Sequence, residues 1–152
     1  MSSGKVVATN KKVYHNYHVL EKFQAGIVLT GTEIKSVRKG QLNLKDSFAK
    51  IEGGEIWLYK THISKYEMGN IYNHEPERKR KLLFKKQEIA KLEGKLKGTG
   101  LSLAPLKVYL SNGWAKIELA LVKGKRQYDK REDMTKKTVK REMERAAKER
   151  FL

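Results

Sequence analysis

The last thirty residues, 123–152, constrain this chain most, because 18 of their 30 side chains are charged and too few apolar ones remain to build a core. From Thr135 the strong helix formers Lys, Arg, Glu, Met and Ala dominate, and Val139, Met143, Ala146, Ala147 and Phe151 recur near one helical face. So thin a stripe offsets little of the roughly 1–2 kcal/mol of backbone entropy lost per ordered residue. The spacing therefore predicts a segment that is largely disordered when free and turns helical on a partner. With twelve Lys/Arg against six Asp/Glu, that partner is expected to be anionic. A solvated helix docked on the rest of the chain, or a merely solubilising tail, is the alternative.

A core must then come from the preceding residues, and 152 residues at 39% hydrophobic content suffice for one domain. Of the net charge of +17, residues 1–122 hold 22 Lys/Arg against 11 Asp/Glu, so the foldable part is itself basic. A surface of that sign attracts polyanions and releases counterions on binding phosphate, which puts nucleic acid first among partner classes. Apolar runs such as Ala25–Leu29 and Leu119–Val122 are far too short to span a bilayer, and the lysines near the start have no apolar block beside them of the kind a secretory signal needs. We expect a cytoplasmic protein, a monomer, with no membrane partner. Without cysteine there are no disulfides, thiolate zinc sites or thiol nucleophiles.

Along the chain, residues 1–12 read as a flexible arm able to pair with a strand. Short β-prone runs follow from Tyr17, with Ala25-Gly26 expected as a bulge or tight turn between strands. Thr30 with Glu33 three positions on is a capping-box pattern, opening a short helix that turns Ile34 and Val37 inward and stops at Gly40. Gly53-Gly54 predicts a two-residue hairpin turn, and on its second strand Ile56 and Leu58 alternate with Trp57 and Tyr59. Residues 64–77 read as a long loop. Pro76 can start a helix, and Leu82, Leu83, Ile89, Leu92 and Leu96 fit a 3.6 period, which predicts a helix over 78–96 ended by Gly98. Two long strands, 101–110 and 114–123, are joined through Asn112-Gly113. The pattern points to a mainly β fold with flanking α-helices. We expect a small oligonucleotide-binding (OB) type antiparallel barrel over 13–123, followed by a basic tail at 124–152, with an α+β sandwich as runner-up.

Catalytic constellations are weak. The stretch 26–32 imitates a phosphate loop in its two glycines but carries Thr32 where the lysine is needed. His15 and His18 lack a third metal ligand nearby, no nucleophile elbow occurs, and Glu33 reads either as a helix cap or as a contact to a base edge or ribose. No enzyme, cofactor or metal is expected. Binding signals are stronger. Arg78, Lys79, Arg80, Lys81, Lys85 and Lys86 put six cations in nine positions, and Lys116, Lys123, Lys125 and Arg126 can extend that surface. Trp57, Tyr59, Tyr109 or Trp114, where exposed, would stack bases of single-stranded or irregular RNA; packing in the barrel wall is the alternative for each.

GTEIKSVR (31–38), HEPERKRKLLF (74–84) and KGKRQYDKRE (123–132), in this order and spacing, resemble the bacterial SsrA-binding protein family, also called small protein B, from about residue 8 into the tail. The resemblance implies an OB-type barrel that binds the tRNA-like domain of transfer-messenger RNA (tmRNA, SsrA RNA) and brings it to stalled ribosomes. The protein itself performs no chemistry. Alanyl-tRNA synthetase charges the RNA, and elongation factor Tu with GTP takes part in its delivery. Carried over by motif, the RNA surface should include Gln24, Ala25, Gly26, Glu33, Leu83 and, after Trp114, Lys116, with Lys35 and Arg38 of the first block and His15 beside them. Gln24 stands where Glu is frequent in the family, and Lys85 where Asn or His is common. Tyr128, Asp129, Lys130 and Arg131 would sit near the decoding centre. Residues 135–152, with Lys136, Lys137, Lys140 and Arg141, would lie in the empty mRNA channel. A general RNA chaperone or ribosome-associated RNA-binding protein is the second functional reading, and an RNA-processing enzyme the third.

Overall fold

The computed structural model describes residues 4–97, 100–125 and 138–145, with the side chains of 70–72 excepted. In chain order the elements are β1 (Lys5–Thr9), α1 (Lys11–Asn16), β2 (Tyr17–Ile27), α2 (Gly31–Arg38), β3 (Leu42–Asn43), β4 (Phe48–Glu52), β5 (Glu55–Tyr59), β6 (His62–Ile63), a 3-10 helix (Glu67–Tyr72), β7 (Arg80–Leu83), α3 (Lys86–Leu96), β8 (Leu101–Ser111) and β9 (Trp114–Gly124). Strands β8, β4, β5, β7, β2 and β9 pair in that order, and β9 returns to β8, so six antiparallel strands close a barrel. This is the expected barrel with flanking helices. Closure removes the open edges that an antiparallel sheet would otherwise have to protect.

Alternation fills the interior. Ile56 and Leu58 of β5, Leu82 of β7, Leu103 and Val108 of β8, and Ile117, Leu119 and Leu121 of β9 are buried in one cluster. Helix α2 contributes Val37, and α3 contributes Ile89 and Leu92. A smaller cluster outside the barrel wall packs Val13 of α1 on Ala104, Leu106, Ala120 and Val122.

From Lys5 on, the stretch read as an arm able to pair with a strand does pair with one. β1 pairs with Lys107–Leu110 of β8, and Asn10 is buried, its N–H donating to Leu106 O at 2.7 Å and its Nδ2 to Leu44 O at 3.3 Å. Ala25-Gly26 is no bulge. β2 runs through it, with Ala25 opposite Ile117 and Gly26 opposite both Lys116 and Leu83. The irregularity in β2 falls at Leu20, and one in β8 at Leu106, beside Pro105. Proline, which cannot donate to a ladder, is tolerated at such a break.

The helix expected over 78–96 splits in two. Residues 80–83 are a strand between β5 and β2, with Leu82 fully buried and Leu83 56% exposed. Closing the barrel needs a strand there, and a period of two won over the 3.6 period that the two leucines share with Ile89 and Leu92. The real helix starts at Lys86, where the Lys85 N–H donates to Glu88 Oε1 at 3.1 Å. Gly98, expected to end it, lies outside the described residues. The loop at 64–77 holds the short 3-10 helix. The three expected turns are present: Gly40 (φ +72°) follows α2, Gly53 and Gly54 (φ +58° and +75°) make the β4–β5 turn, and Asn112 and Gly113 (φ +52° and +81°) make the β8–β9 turn. Residues 138–145 are helical with every side chain exposed.

The strand at 80–83 sets a sharp expectation. Leu82→Ala should lower unfolding free energy by about 2–5 kcal/mol, as a core truncation does, and Leu83→Ala should stay within about 0.5 kcal/mol. Urea titration of both variants checks this; equal losses would place both leucines on one buried face.

Candidate nucleic-acid interface

Glu33 lies at the third position of α2 and is fully buried. It closes the capping box on α2: its N–H donates to Thr30 Oγ1 at 3.4 Å, and its Oε1 accepts the Thr30 N–H at 2.8 Å. The same carboxylate holds two guanidinium groups. Arg80, also fully buried, donates Nε to Glu33 Oε2 at 2.5 Å and spends its remaining donors on the carbonyls of Thr61 (2.7 Å), Pro76 (3.0 Å) and Arg78 (3.1 Å). Arg78 donates Nε to Glu33 Oε2 at 3.0 Å and Nη2 to both Glu33 Oε1 and Val28 O. Burial by itself would raise the Glu33 carboxyl, but the hydrogen bonds from Arg78 and the Thr30 amide, with the charge of Arg80, outweigh it and hold the group below the usual carboxylate range. Burial pushes Arg80 down, against the pull of Glu33. Beside them His74 bridges Ile63 O (2.8 Å) and Thr32 Oγ1 (2.9 Å). A carbonyl only accepts, so Nε2 carries the proton and Nδ1 takes that of the Thr32 hydroxyl.

These contacts decide two readings. Glu33 is the helix cap, the first of its two readings, and Arg80, a candidate for contact with RNA, is sealed against it beneath the surface. They position their neighbours instead. Val28 is held by Arg78 at its carbonyl and by Lys81 O at its N–H (3.0 Å), and Thr30 by Glu33, so the β2–α2 junction is fixed residue by residue.

That junction forms one wall of a cleft of about 690 Å³. Val28 (43% exposed), Leu83 (56%) and Trp114 (72%) give it an apolar, aromatic lining, and Arg38 and Lys116 add two cations. Trp114 follows the Asn112-Gly113 turn directly, Ile34 and Arg38 stand one turn apart on α2, and Gly26 pairs with both Leu83 and Lys116. A Cβ on Gly26 would meet Leu83 Cδ1 at 3.2 Å, so glycine keeps this part of the cleft open. Such a mixture can take a base or ribose against the apolar groups and phosphates on the cations.

Five predicted residues therefore meet in one place: Gly26, Arg38, Leu83, Trp114 and Lys116. Val28 and Ile34 also line the cleft; Val28 carries no sequence signal beyond its place between the motif glycines, and Ile34 reads as an inward-facing helix residue. Ala25 is buried toward the core and presents no side chain to a ligand. Gln24 is exposed next to the cleft strands, its amide fixed by donation to Glu118 Oε2 (2.9 Å) and by the Tyr109 hydroxyl donating to its Oε1 (2.6 Å). Tyr109 is thereby removed as a stacking platform: it is 4% exposed, and burial, then the Glu118 charge, raises its hydroxyl above the usual phenol value. Trp57 and Tyr59 are half-buried.

Among the described residues, the remaining predicted cations do not line the cleft. Lys79 and Lys81 pair with Glu52 (3.8 Å) and Glu55 (3.5 Å), Lys35 sits over the Tyr66 ring, and His15, Lys85 and Lys123 are exposed on other elements. Lys125 ties the end of the barrel to α1, donating N–H to Asn16 O (2.9 Å) and Nζ to Tyr14 O (3.1 Å). Arg126, Tyr128, Asp129, Lys130, Arg131, Lys136 and Lys137 lie outside the described residues, and Lys140 and Arg141 are exposed on the helix at 138–145. Among the described residues no cluster of His, Asp and Glu could hold a metal ion, and no helix is long and apolar enough to cross a membrane.

The family described as SmpB protein matches residues 7–149 of this sequence. The chain belongs to the SmpB family. It is 58% identical over 147 residues to an SsrA-binding protein of Carboxydothermus hydrogenoformans, covering 97% of this chain and 99% of that one. It is 60% identical over 150 residues to that of Shouchella clausii, covering 99% and 96%. A chain of a solved structure described as "tmRNA-SmpB: a journey to the center of the bacterial ribosome" superimposes with a TM-score of 0.66 at 45% identity, covering 82% of this chain and 91% of that chain. The SmpB resemblance read from three short blocks therefore holds over nearly the whole sequence.

Removing the buried carboxylate tests the positioning role. Glu33→Gln should cost about 3–5 kcal/mol, since it leaves two guanidiniums without their charge partner. Because the Glu33 carboxyl is lowered in the folded chain, its contribution is complete above the ordinary carboxylate range and fades as pH falls toward its native value, the unfolded chain taking the proton first. Stability of the parent protein should thus drop more steeply below about pH 4.5 than that of Glu33→Gln. Parallel slopes in urea titrations across that window would show that the ion pair is not formed.

Proposed function

We propose that this chain is the RNA-binding adaptor of trans-translation: its barrel binds the tRNA-like domain of tmRNA, supports alanylation of that RNA, and delivers it to stalled ribosomes in the cytoplasm. The observation that carries this reading is the cleft, where Gly26, Leu83, Trp114, Lys116 and Arg38, distant in sequence, meet on a basic barrel of the SmpB family. The names of the relatives, SsrA-binding proteins, point to the same RNA. The chain acts by binding, with no chemical step of its own. Alanyl-tRNA synthetase and elongation factor Tu with GTP meet it through tmRNA.

The C-terminal segment has the other task. Tyr128, Asp129, Lys130 and Arg131 enter the decoding centre, and residues from 135 onward, with Lys136, Lys137, Lys140 and Arg141, follow the empty mRNA channel as a helix. The exposed helix at 138–145 and the excess of cations support this division of labour, because a basic helix that buries no apolar face gains its binding energy from a polyanion.

Competition at physiological salt between tmRNA and an unrelated structured RNA of equal length tests specificity. A preference of about a hundredfold, about 2.7 kcal/mol, is expected; equal binding would favour the general RNA chaperone. Lys116→Ala should weaken tmRNA binding and lower the salt slope by about one. Truncation after Lys125, which keeps the anchor on α1, should leave RNA affinity nearly intact and abolish tagging of stalled peptides. Parallel loss of both would refute the two-part division.

A further inference from the structure

The outward side of the β4–β5–β7 wall carries a second surface that the cleft does not use. Strand alternation turns Ala49, Ile56, Leu58, Arg80 and Leu82 inward, which leaves Phe48 and Lys50 of β4, Trp57 and Tyr59 of β5, and Lys81 of β7 facing out. Register sets them in rows, with Lys50 opposite Trp57 and Trp57 opposite Lys81, and Phe48 opposite Tyr59. Phe48 and Tyr59 stack with centroids 5.3 Å apart and planes 9° from parallel. Ammonium groups lie over the rings: Lys79 at 4.7 Å from the Trp57 centroid, Lys50 at 5.4 Å and Lys60 at 5.9 Å from that of Phe48.

Two details argue against a simple solvated face. Lys60 holds the left-handed conformation at φ +60°, which glycine or asparagine would take with less strain, and this turn brings its ammonium back over the aromatic pair. Glu52 and Glu55 pair with Lys79 and Lys81, whereas among the described residues no carboxylate reaches Lys50 or Lys60 within ion-pair distance. Aromatic rings interleaved with such cations are what a single strand of nucleic acid requires: each base finds a ring to stack on, and each phosphate an ammonium that moves off that ring.

We propose that the β4–β5–β7 face, centred on Trp57, is a second RNA-binding surface that takes a single-stranded or looped segment by stacking. It deepens the function proposed above and rests on it for the identity of the RNA. The two surfaces are continuous, since Lys81 of this face and Leu83 of the cleft are alternate residues on the same side of β7. One RNA can therefore run from the cleft onto the aromatic rows.

The chain has two tryptophans, so Trp114→Phe makes Trp57 the sole reporter in the full-length protein. Titration with a short oligouridylate, and separately with a transcript of the tRNA-like domain, should quench Trp57 emission. Trp57→Thr, which keeps a strand-forming residue, should weaken transcript binding at least about fivefold, the lower end of what one stacked base contributes. Lys50→Gln with Lys60→Gln should reduce the salt slope by about two. Both lysines are exposed and outside the core, so this pair decides the matter should Trp57→Thr fail to fold. Emission that stays unchanged while the transcript saturates the protein, with the salt slope of the lysine pair unaltered, would overturn the proposal and leave the face to a protein partner. A transcript that fails to bind the parent protein at all would instead remove the cleft's function, and the oligouridylate titration would still decide this face.

Discussion

A single carboxylate, Glu33, shared between Arg78 and Arg80, ties α2, the end of β2 and β7 together above the hydrophobic cluster that they share. Through Thr30 it sets the first turn of α2, through Arg80 it collects the carbonyls of Thr61 and Pro76, and through Arg78 it reaches Val28 at the end of β2. Charges are expensive to bury, and the arrangement persists only because each donor and acceptor is matched; among the described residues no buried side-chain nitrogen or oxygen lacks a partner. A hydrophobic cluster in the same place would give comparable stability without specifying where α2 points. The ion pair specifies it, and the cleft inherits that orientation through Ile34 and Arg38.

Such a network explains which sequence signals were readable. The capping box at Thr30 and Glu33, the glycine pair at 53–54 and the Asn112-Gly113 turn are local devices, and each forms where its residues say it should. Arg80 was illegible for a physical reason. In a run of six cations nothing local marks the one whose strand turns it inward, and only the pairing of β7 with β5 and β2 does so. The same pairing claimed Leu82 and Leu83 from the helix that their spacing suggested. Gly26 was rightly singled out as unusual but for the wrong cause, since it serves close packing between neighbouring strands and not a break in one. The actual break, at Leu20, carries no glycine to announce it.

The candidate site was legible mainly through the motif blocks and not through periodicity. Gly26, Arg38, Leu83, Trp114 and Lys116 are separated by up to 90 positions, and the pairing of β7, β2 and β9 together with the docking of α2 brings them within one cleft. Neither composition nor hydrophobic pattern encodes that convergence. What composition did encode was sign: a basic domain followed by a more densely charged segment, and hence a polyanionic partner for each.

Sign alone would make a surface that binds any nucleic acid, and the placement of the acidic groups shows how this barrel goes further. Its two most buried carboxylates each fix several partners: Glu33 the two arginines, and Glu118, 6% exposed, the Gln24 amide with Lys22 and Lys107 at 3.7 and 3.6 Å. Neither carboxylate pairs with the cleft cations Arg38 and Lys116; what each fixes is the frame around them, so part of the cost of ordering the interface is met at folding. The acids therefore do more than offset charge. They hold Gln24 and the β2–α2 wall in one arrangement before any RNA is present, and a rigid arrangement of donors discriminates between RNA shapes in a way that a diffuse positive field cannot.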